Sequence, residues 1–212
     1  MSFRITVDDA ELKRVKDRLG ELEHKAPNVI ANALNRAVSN VKANLPKEAT
    51  KIYYIKNSKV KETLKEFKAS QSRLEAGVRA KGKVIGLNHF KVSPKTVNPR
   101  RKSQLKIAII KNGLKQIPGA FNANINGVKV FTRTGKFSIA TKGSYKGRIV
   151  KRGPRKGKPL LREEIERKFG PSVPQMLDEE KIVENVNQDA YFTYEKRVNH
   201  EINRILSKMG AW

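Results

Sequence analysis

Catalysis needs side chains that move protons, attack or hold a metal, and this chain concentrates few of them. Its three histidines, His24, His89 and His200, are far apart, and none has a second His or Cys at metal-ligand spacing. His200-Glu201 lacks the second His of a zinc-protease helix. The chain has no Cys, which removes disulfides, thiolate ligands and cysteine nucleophiles together. No Gly-x-Ser-x-Gly elbow, phosphate-cradling Gly-x-x-x-x-Gly-Lys or Gly-x-Gly-x-x-Gly occurs. A metal-dependent nuclease needs clustered carboxylates, yet the 87 residues from Ala76 to Arg162 contain no Asp or Glu. The acids at Glu163-Glu164-Ile165-Glu166 and Asp178-Glu179-Glu180 read as exposed charges at helix starts, where they oppose the dipole favourably. The expectation is a non-enzymatic protein with no catalytic residues, no metal and no cofactor.

What the chain does concentrate is positive charge. Its 212 residues carry 46 Lys and Arg against 20 Asp and Glu, a formal charge of +26. Residues 1–75 hold 16 basic and 10 acidic side chains, the acid-free stretch holds 23 basic ones, and residues 163–212 hold 7 basic and 10 acidic. A stretch of that length cannot neutralise itself locally, so its charge must face water, a polyanion or an acidic surface. Two runs stand out: Arg100, Arg101 and Lys102 in the first, and Lys146, Arg148, Lys151, Arg152, Arg155, Lys156 and Lys158 in the second. Gly and Pro punctuate both, so they read as loops or arms that face a partner or DNA. The nearest ring to the second run is Tyr145, which argues against base stacking and leaves phosphate contact or protein docking.

The elements that must carry these runs follow from periodicity. Asp8 to Glu11 reads as a capping box, followed by Leu12, Val15, Leu19 and Leu22 at helical spacing. Pro27 suits the first turn of a second helix with an apolar stripe of Ile30, Leu34, Ala37, Val38, Val41 and Leu45, which Pro46 should end. A short third helix is expected near Ser58, with Val60, Leu64 and Phe67 inward. Alternation at Leu74, Ala76, Val78 and Ala80 predicts a strand, and 83–87 and 105–110 are shorter strand candidates. Asn126-Gly127, between Phe121–Ile125 and Val128–Phe131, predicts a hairpin on a type I′ turn. A turn at Thr134-Gly135 should lead to a third strand at Phe137–Ile139. Tyr191, Tyr194, Val198, Ile202, Ile205 and Met209 outline a long C-terminal helix, with Gly210 as its stop. Helices first and an antiparallel sheet next make the class α+β. The expected division is one α+β domain over 1–175 and a C-terminal helix over 176–212. Hydrophobic residues at 38% allow a modest core. No apolar run reaches the roughly 18 residues of a membrane span, and none at the N-terminus suits a signal peptide.

The segment Gln116-Ile117-Pro118-Gly119-Ala120-Phe121 resembles the Ile-Pro-Gly-Ala-Phe box of the prophage minor tail protein Z family, the tail-completion proteins of long-tailed phages. Its surroundings resemble that family in order. Val29-Ile-Ala-Asn-Ala-Leu-Asn-Arg-Ala37 looks like the early helix, Val60–Leu64 and Arg73–Val78 match in position, and Val130-Phe-Thr-Arg133 is similar to the second hairpin strand. Val173-Pro-Gln-Met176 is similar to a Pro-containing lead-in to the C-terminal helix. The resemblance implies a structural protein at the head-proximal end of a tail, assembled in a bacterial cytoplasm and located in the virion neck. Implied partners are other neck and tail proteins (terminator, tube or sheath, connector), the packaged DNA in the lumen, and further copies in a ring, with no membrane. Within the box, Pro118 removes a donor, Gly119 permits close backbone approach and Phe121 anchors in a core, so the box reads first as a structural corner that opens the hairpin. The competing reading is a basic nucleic-acid-binding protein of ribosomal or nucleoid type.

Overall fold

The alternation of Ala76, Val78 and Ala80 places three small apolar side chains on one face of a strand, and that strand is the centre of the first sheet. The structure, a computed structural model, describes residues 1–98, 104–139 and 145–208. It is α+β, with antiparallel sheets and two long helices. The chain divides into two compact units, Met1–Ile85 with Pro171–Trp212, and Gly86–Gly170. The boundaries therefore fall at 85/86 and 170/171, not at 175. The C-terminal helix does not stand apart, because its buried face packs on a helix from the N-terminal half.

In the first, helical unit, β1 (Ser2–Thr6), β2 (Leu64–Phe67) and β3 (Glu75–Ala80) form an antiparallel sheet in the order β1-β3-β2. Gly77 pairs with Arg4 on one side and Phe67 on the other. A Cβ there would meet the Phe3 carbonyl oxygen and lie 2.6 Å from Cζ of Phe67, so only glycine lets the Phe67 ring cover the strand. Leu64 and Phe67 thus belong to a strand; the short helix α3 stops at Asn57–Lys61, and of the three expected inward residues only Val60 lies on it. Arg4 from the neighbouring strand and Arg73 from just before β3 pair with Glu75 at 2.9 Å each. The Arg73 hydrogen bonds, then the Arg4 charge, hold the Glu75 carboxyl below its usual pKa.

Helix α1 (Asp9–Leu19) starts at the expected N-cap, with Oδ1 of Asp8 accepting the Glu11 N–H at 2.8 Å, but the Glu11 carboxylate bonds Arg14 and Tyr194 and does not close a capping box. It ends sooner than its stripe suggests. Gly20 has φ of 55°, and Leu22 lies in a 3-10 segment, Gly20–Lys25. Helix α2 (Ala26–Ile52) has Pro27 in its first turn and buries all six expected stripe residues. It also passes through Pro46, which was expected to end it. Losing the Pro N–H and accommodating its ring costs about 3 kcal/mol. Burial of Leu45, Pro46 and Ala49 on the same face offsets this, since a buried aliphatic side chain contributes about 1.5–3 kcal/mol.

The chain leaves this unit through β4 (Val84–Gly86) and returns through β11 (Phe169–Ser172), two short strands that pair as a ribbon of their own. Ser172 and Gln175 form a capping box for α4 (Val173–Leu177), and α5 (Glu180–Ser207) follows. The buried apolar face of α5 is Ile182, Val186, Ala190, Tyr194, Val198 and Ile202, and the helix packs chiefly on α2. Tyr191 is not part of it: four-residue steps run back from Tyr194 through Ala190, leaving Tyr191 and Phe192 each 69% exposed. Ile205 is half-buried, and Met209 and Gly210 lie outside the described residues. Arg14 of α1 joins Glu11 and Glu195 at 2.7 Å each, and these bonds, Glu11 first, push its pKa up. Burial, and then the Glu11 charge, raises the Tyr194 phenol, whose hydroxyl donates to Glu11 at 3.1 Å.

The second, basic unit holds two three-stranded antiparallel sheets. One is β5 (Lys91–Ser93), β6 (Leu105–Ala108) and β7 (Leu114–Ile117) in that order. The other is β8 (Ala120–Asn124), β9 (Val128–Ile139) and β10 (Leu161–Arg167), with β9 central. The Pro118-Gly119 turn leads from one sheet to the other, and Gly119 has φ of 67°. A Cβ on Gly119 would meet nothing within 4 Å, so its role is the left-handed turn and not close approach. Phe121 is half-buried, 6.3 Å from the Phe131 ring and under the Arg133 guanidinium, and is less enclosed than an anchor in a core. Ile117 and Ala120 are half-buried strand-end residues beside the turn.

The Asn126-Gly127 hairpin forms, with φ of 51° and 92°. Asn124 pairs with Val128, so the loop is the three residues Ile125–Gly127 and not the two-residue type I′ form. Gly135, expected to turn the chain, lies within β9 at φ of 77°. It sits in a bulge, since Arg133 pairs with Ile165 and Phe137 with Glu163, leaving three residues of β9 opposite one of β10. The Glu163 carboxylate stabilises the bulge by accepting from Arg133 and from the Gly135 N–H, both at 3.1 Å. The third strand of this sheet is therefore β10. Its Glu163, Glu164 and Glu166 are strand residues and not a helix start, whereas Glu179 and Glu180 do begin α5.

Candidate functional site

Between β9 and β10 lies the second basic run. From Tyr145 to Leu160 the chain folds back on itself through a bridge between Ile149 and Pro159. The Val150 N–H donates to the Lys158 carbonyl at 3.0 Å, the Leu160 N–H to Arg148 at 2.9 Å, and the Gly157 N–H to Val150 at 2.9 Å. Two turns close the tip, with Lys156 donating to the Gly153 carbonyl and Lys158 to Arg155. Gly153 and Gly157 hold φ of 83° and 80° at these turns, where a side chain would be strained. The run is thus an arm with its own backbone hydrogen bonds, as its Gly and Pro content predicts.

Lys146, Arg148, Lys151, Arg152, Arg155, Lys156 and Lys158 are all exposed. None forms an ion pair among the described residues. Two of this unit's three carboxylates are engaged elsewhere: Glu163 holds Arg133, and Glu166 holds Lys168 at 2.7 Å. Arg155 donates weakly, at 3.4 Å, to the Pro159 carbonyl. The Tyr145 ring is occupied by two guanidinium groups, Arg148 at 5.1 Å and Arg162 at 3.9 Å from its centre. Arg100, Arg101 and Lys102, the other expected run, lie outside the described residues.

The structural division sharpens the charge contrast. The basic unit, 86–170, carries 22 Lys and Arg against three Glu, and the helical unit carries 24 against 17. Among the described residues no group of three or more His, Asp or Glu side chains could hold a metal ion. His24, His89 and His200 are exposed on three separate elements. No described helix is long and apolar enough to cross a membrane.

One feature escaped sequence reasoning. A groove of about 660 Å³ in the helical unit, between α2 and α5, is lined by Arg36, Asn40, Asp189, Phe192, Lys196 and His200 among others. Asn40 donates to Thr193 at its base, and Asn44 to Asp189 at 3.1 Å. The four-residue step from Lys196 to His200 signals a shared helix face, but its partner residues lie some 150 positions earlier in the chain. Comparison of the chain with protein-family models, with curated proteins and with solved structures returned no match.

Proposed function

We propose that this chain is a structural assembly protein of a phage-type tail, acting at the head-proximal end in tail completion and head-tail joining. The observation that carries the reading is the pairing of two features in one unit. The Gln116–Phe121 segment resembles the minor tail protein Z box, and the same unit presents an arm of seven exposed cations with no carboxylate partner among the described residues. A surface of that kind is at home in an assembly whose other components supply negative potential. No catalytic step, cofactor or membrane enters the proposal. Mass spectrometry of purified tails, with labelling of the chain in particle images, tests it. The expected result is the chain at the upper end of tails, and deletion should leave tails that do not join heads. Tails free of the chain that still join heads would overturn it.

The second reading is a basic protein of ribosomal or nucleoid type, favoured by 23 cationic side chains across 87 residues without an acid. Genomic neighbourhood separates the two: tail-tube, sheath or tape-measure genes beside this one support the first.

A further inference from the structure

We infer that the Lys146–Lys158 arm binds the phosphate backbone of duplex DNA. The inference stands on the arm alone and goes beyond the tail role.

The arm's side chains decide the class of ligand. Lys146 to Lys158 reads Lys-Gly-Arg-Ile-Val-Lys-Arg-Gly-Pro-Arg-Lys-Gly-Lys. Seven are cationic donors, and the rest are Gly, Pro, Ile and Val. The arm has no Asn, Gln, Ser, Thr, Asp or Glu, so no side chain in it can accept a hydrogen bond. It can match anions, but it lacks the amide and hydroxyl groups that read adenine edges or accept from a ribose 2′-hydroxyl. Its nearest aromatic ring, Tyr145, is already engaged by two guanidinium groups, which compete with an unpaired base for it. That favours a duplex over a single strand.

An acidic protein is the competing partner, and the arm is poorly built for one. Protein interfaces centre on buried aromatic or apolar anchors and are depleted in Lys. Four of the seven cations are Lys, and the one large apolar side chain offered is Ile149, 58% exposed. Duplex DNA presents one negative charge per roughly 1.7 Å of axis, which suits a dense cluster of exposed cations. The arm's internal backbone bonds and turns reduce the ordering that binding would otherwise require.

The test is a salt titration of the full chain on a short mixed-sequence duplex, read by fluorescence anisotropy. Seven phosphate contacts predict a slope of log affinity against log salt of roughly −6, and an affinity about a thousand-fold or more weaker at 200 mM than at 50 mM salt. Replacing Lys146, Lys151, Arg152, Lys156 and Lys158 by Gln spares the Arg148 and Arg155 contacts and should make the slope shallower by roughly four. An equal charge removal from the helical unit, at exposed Lys13, Lys56, Lys61, Lys65 and Lys68, should leave most of the slope. Changing the four arm lysines to Arg should preserve binding, and an unchanged far-UV circular dichroism spectrum of the Gln variant separates loss of charge from misfolding. An unchanged slope in the Gln arm variant would overturn the inference. So would equal losses in both charge-removal variants, a single strand that outcompetes the duplex, or arm-dependent binding to polyglutamate with none to DNA. If the arm binds DNA as described while tails lack the chain, the tail reading alone fails.

Discussion

Thirty-one apolar side chains are buried in the helical unit and eight in the basic unit, among the described residues. The contrast in charge runs the other way, 24 cations against 17 acids in the first and 22 against three in the second. The helical unit turns its charges inward on one another: Arg14 joins α1 to α5, and Arg4 and Arg73 converge on Glu75. Glu201, 2% exposed, sits between Arg197 and Arg204. The basic unit keeps Ile110, Leu114, Phe137, Ile139 and Ile149 half or more exposed, besides its arm. A region with little core and little internal neutralisation is stabilised less by its own contacts, and its surface is the part of the molecule suited to a partner.

The largest expected effect lies in the helical unit. Leu34→Ala or Ile202→Ala, each removing a side chain at most 1% exposed, should destabilise it by about 2–5 kcal/mol in urea denaturation. Phe137→Ala, at a ring 64% exposed, should change the basic unit's stability by under about 0.5 kcal/mol. Comparable losses at both sites would erase the contrast.

Gly77→Ala comes next. Its Cβ would meet the Phe3 carbonyl and the Phe67 ring, so the sheet should lose about 1–3 kcal/mol by the same measurement. In the basic unit the nearest counterpart is Glu163→Gln. It weakens the bonds from Arg133 and Gly135 that hold the bulge, at about 1 kcal/mol, and should speed hydrogen exchange over residues 132–139.

The α2 stripe, the alternation of β3 and the Asn126-Gly127 hairpin were legible in the sequence because each is a local pattern. Where local pattern and structure differ, distant packing or a neighbouring strand decides. Pro46 is a local stop signal, but burial of Leu45 and Ala49 carries α2 past it. Gly135 carries a local turn signal, although a positive φ serves a bulge equally well once Glu163 from β10 supplies the partner. Glu163 to Glu166 looked like a helix start because nothing local reveals pairing with β9. At the site, the arm's seven cations and its loop character could be read directly. The engagement of Tyr145 by Arg162 depends on tertiary geometry, as does the groove between α2 and α5.

The smallest effect is one of pH. The Glu75 carboxyl has its folded pKa lowered by Arg73 and Arg4. The stabilisation it contributes is complete above the unfolded carboxylate value of roughly 4.3 and is lost as pH falls through the lower folded value. Glu75→Gln should flatten that acid limb of the helical unit's stability profile and leave the basic unit's profile unchanged.

Among the described residues the arm's seven cations are exposed and in no ion pair, which on the proposal above leaves the basic unit's charge for something outside the chain to neutralise. Hydrogen exchange of the purified full chain at low and high salt, resolved by segment, tests this most directly. The expected result is protection that rises with salt across residues 86–170, as counterions screen the repulsion, with little change over 1–85 and 171–208. Equal responses in both units, or full protection of the basic unit at low salt with no ligand present, would contradict it.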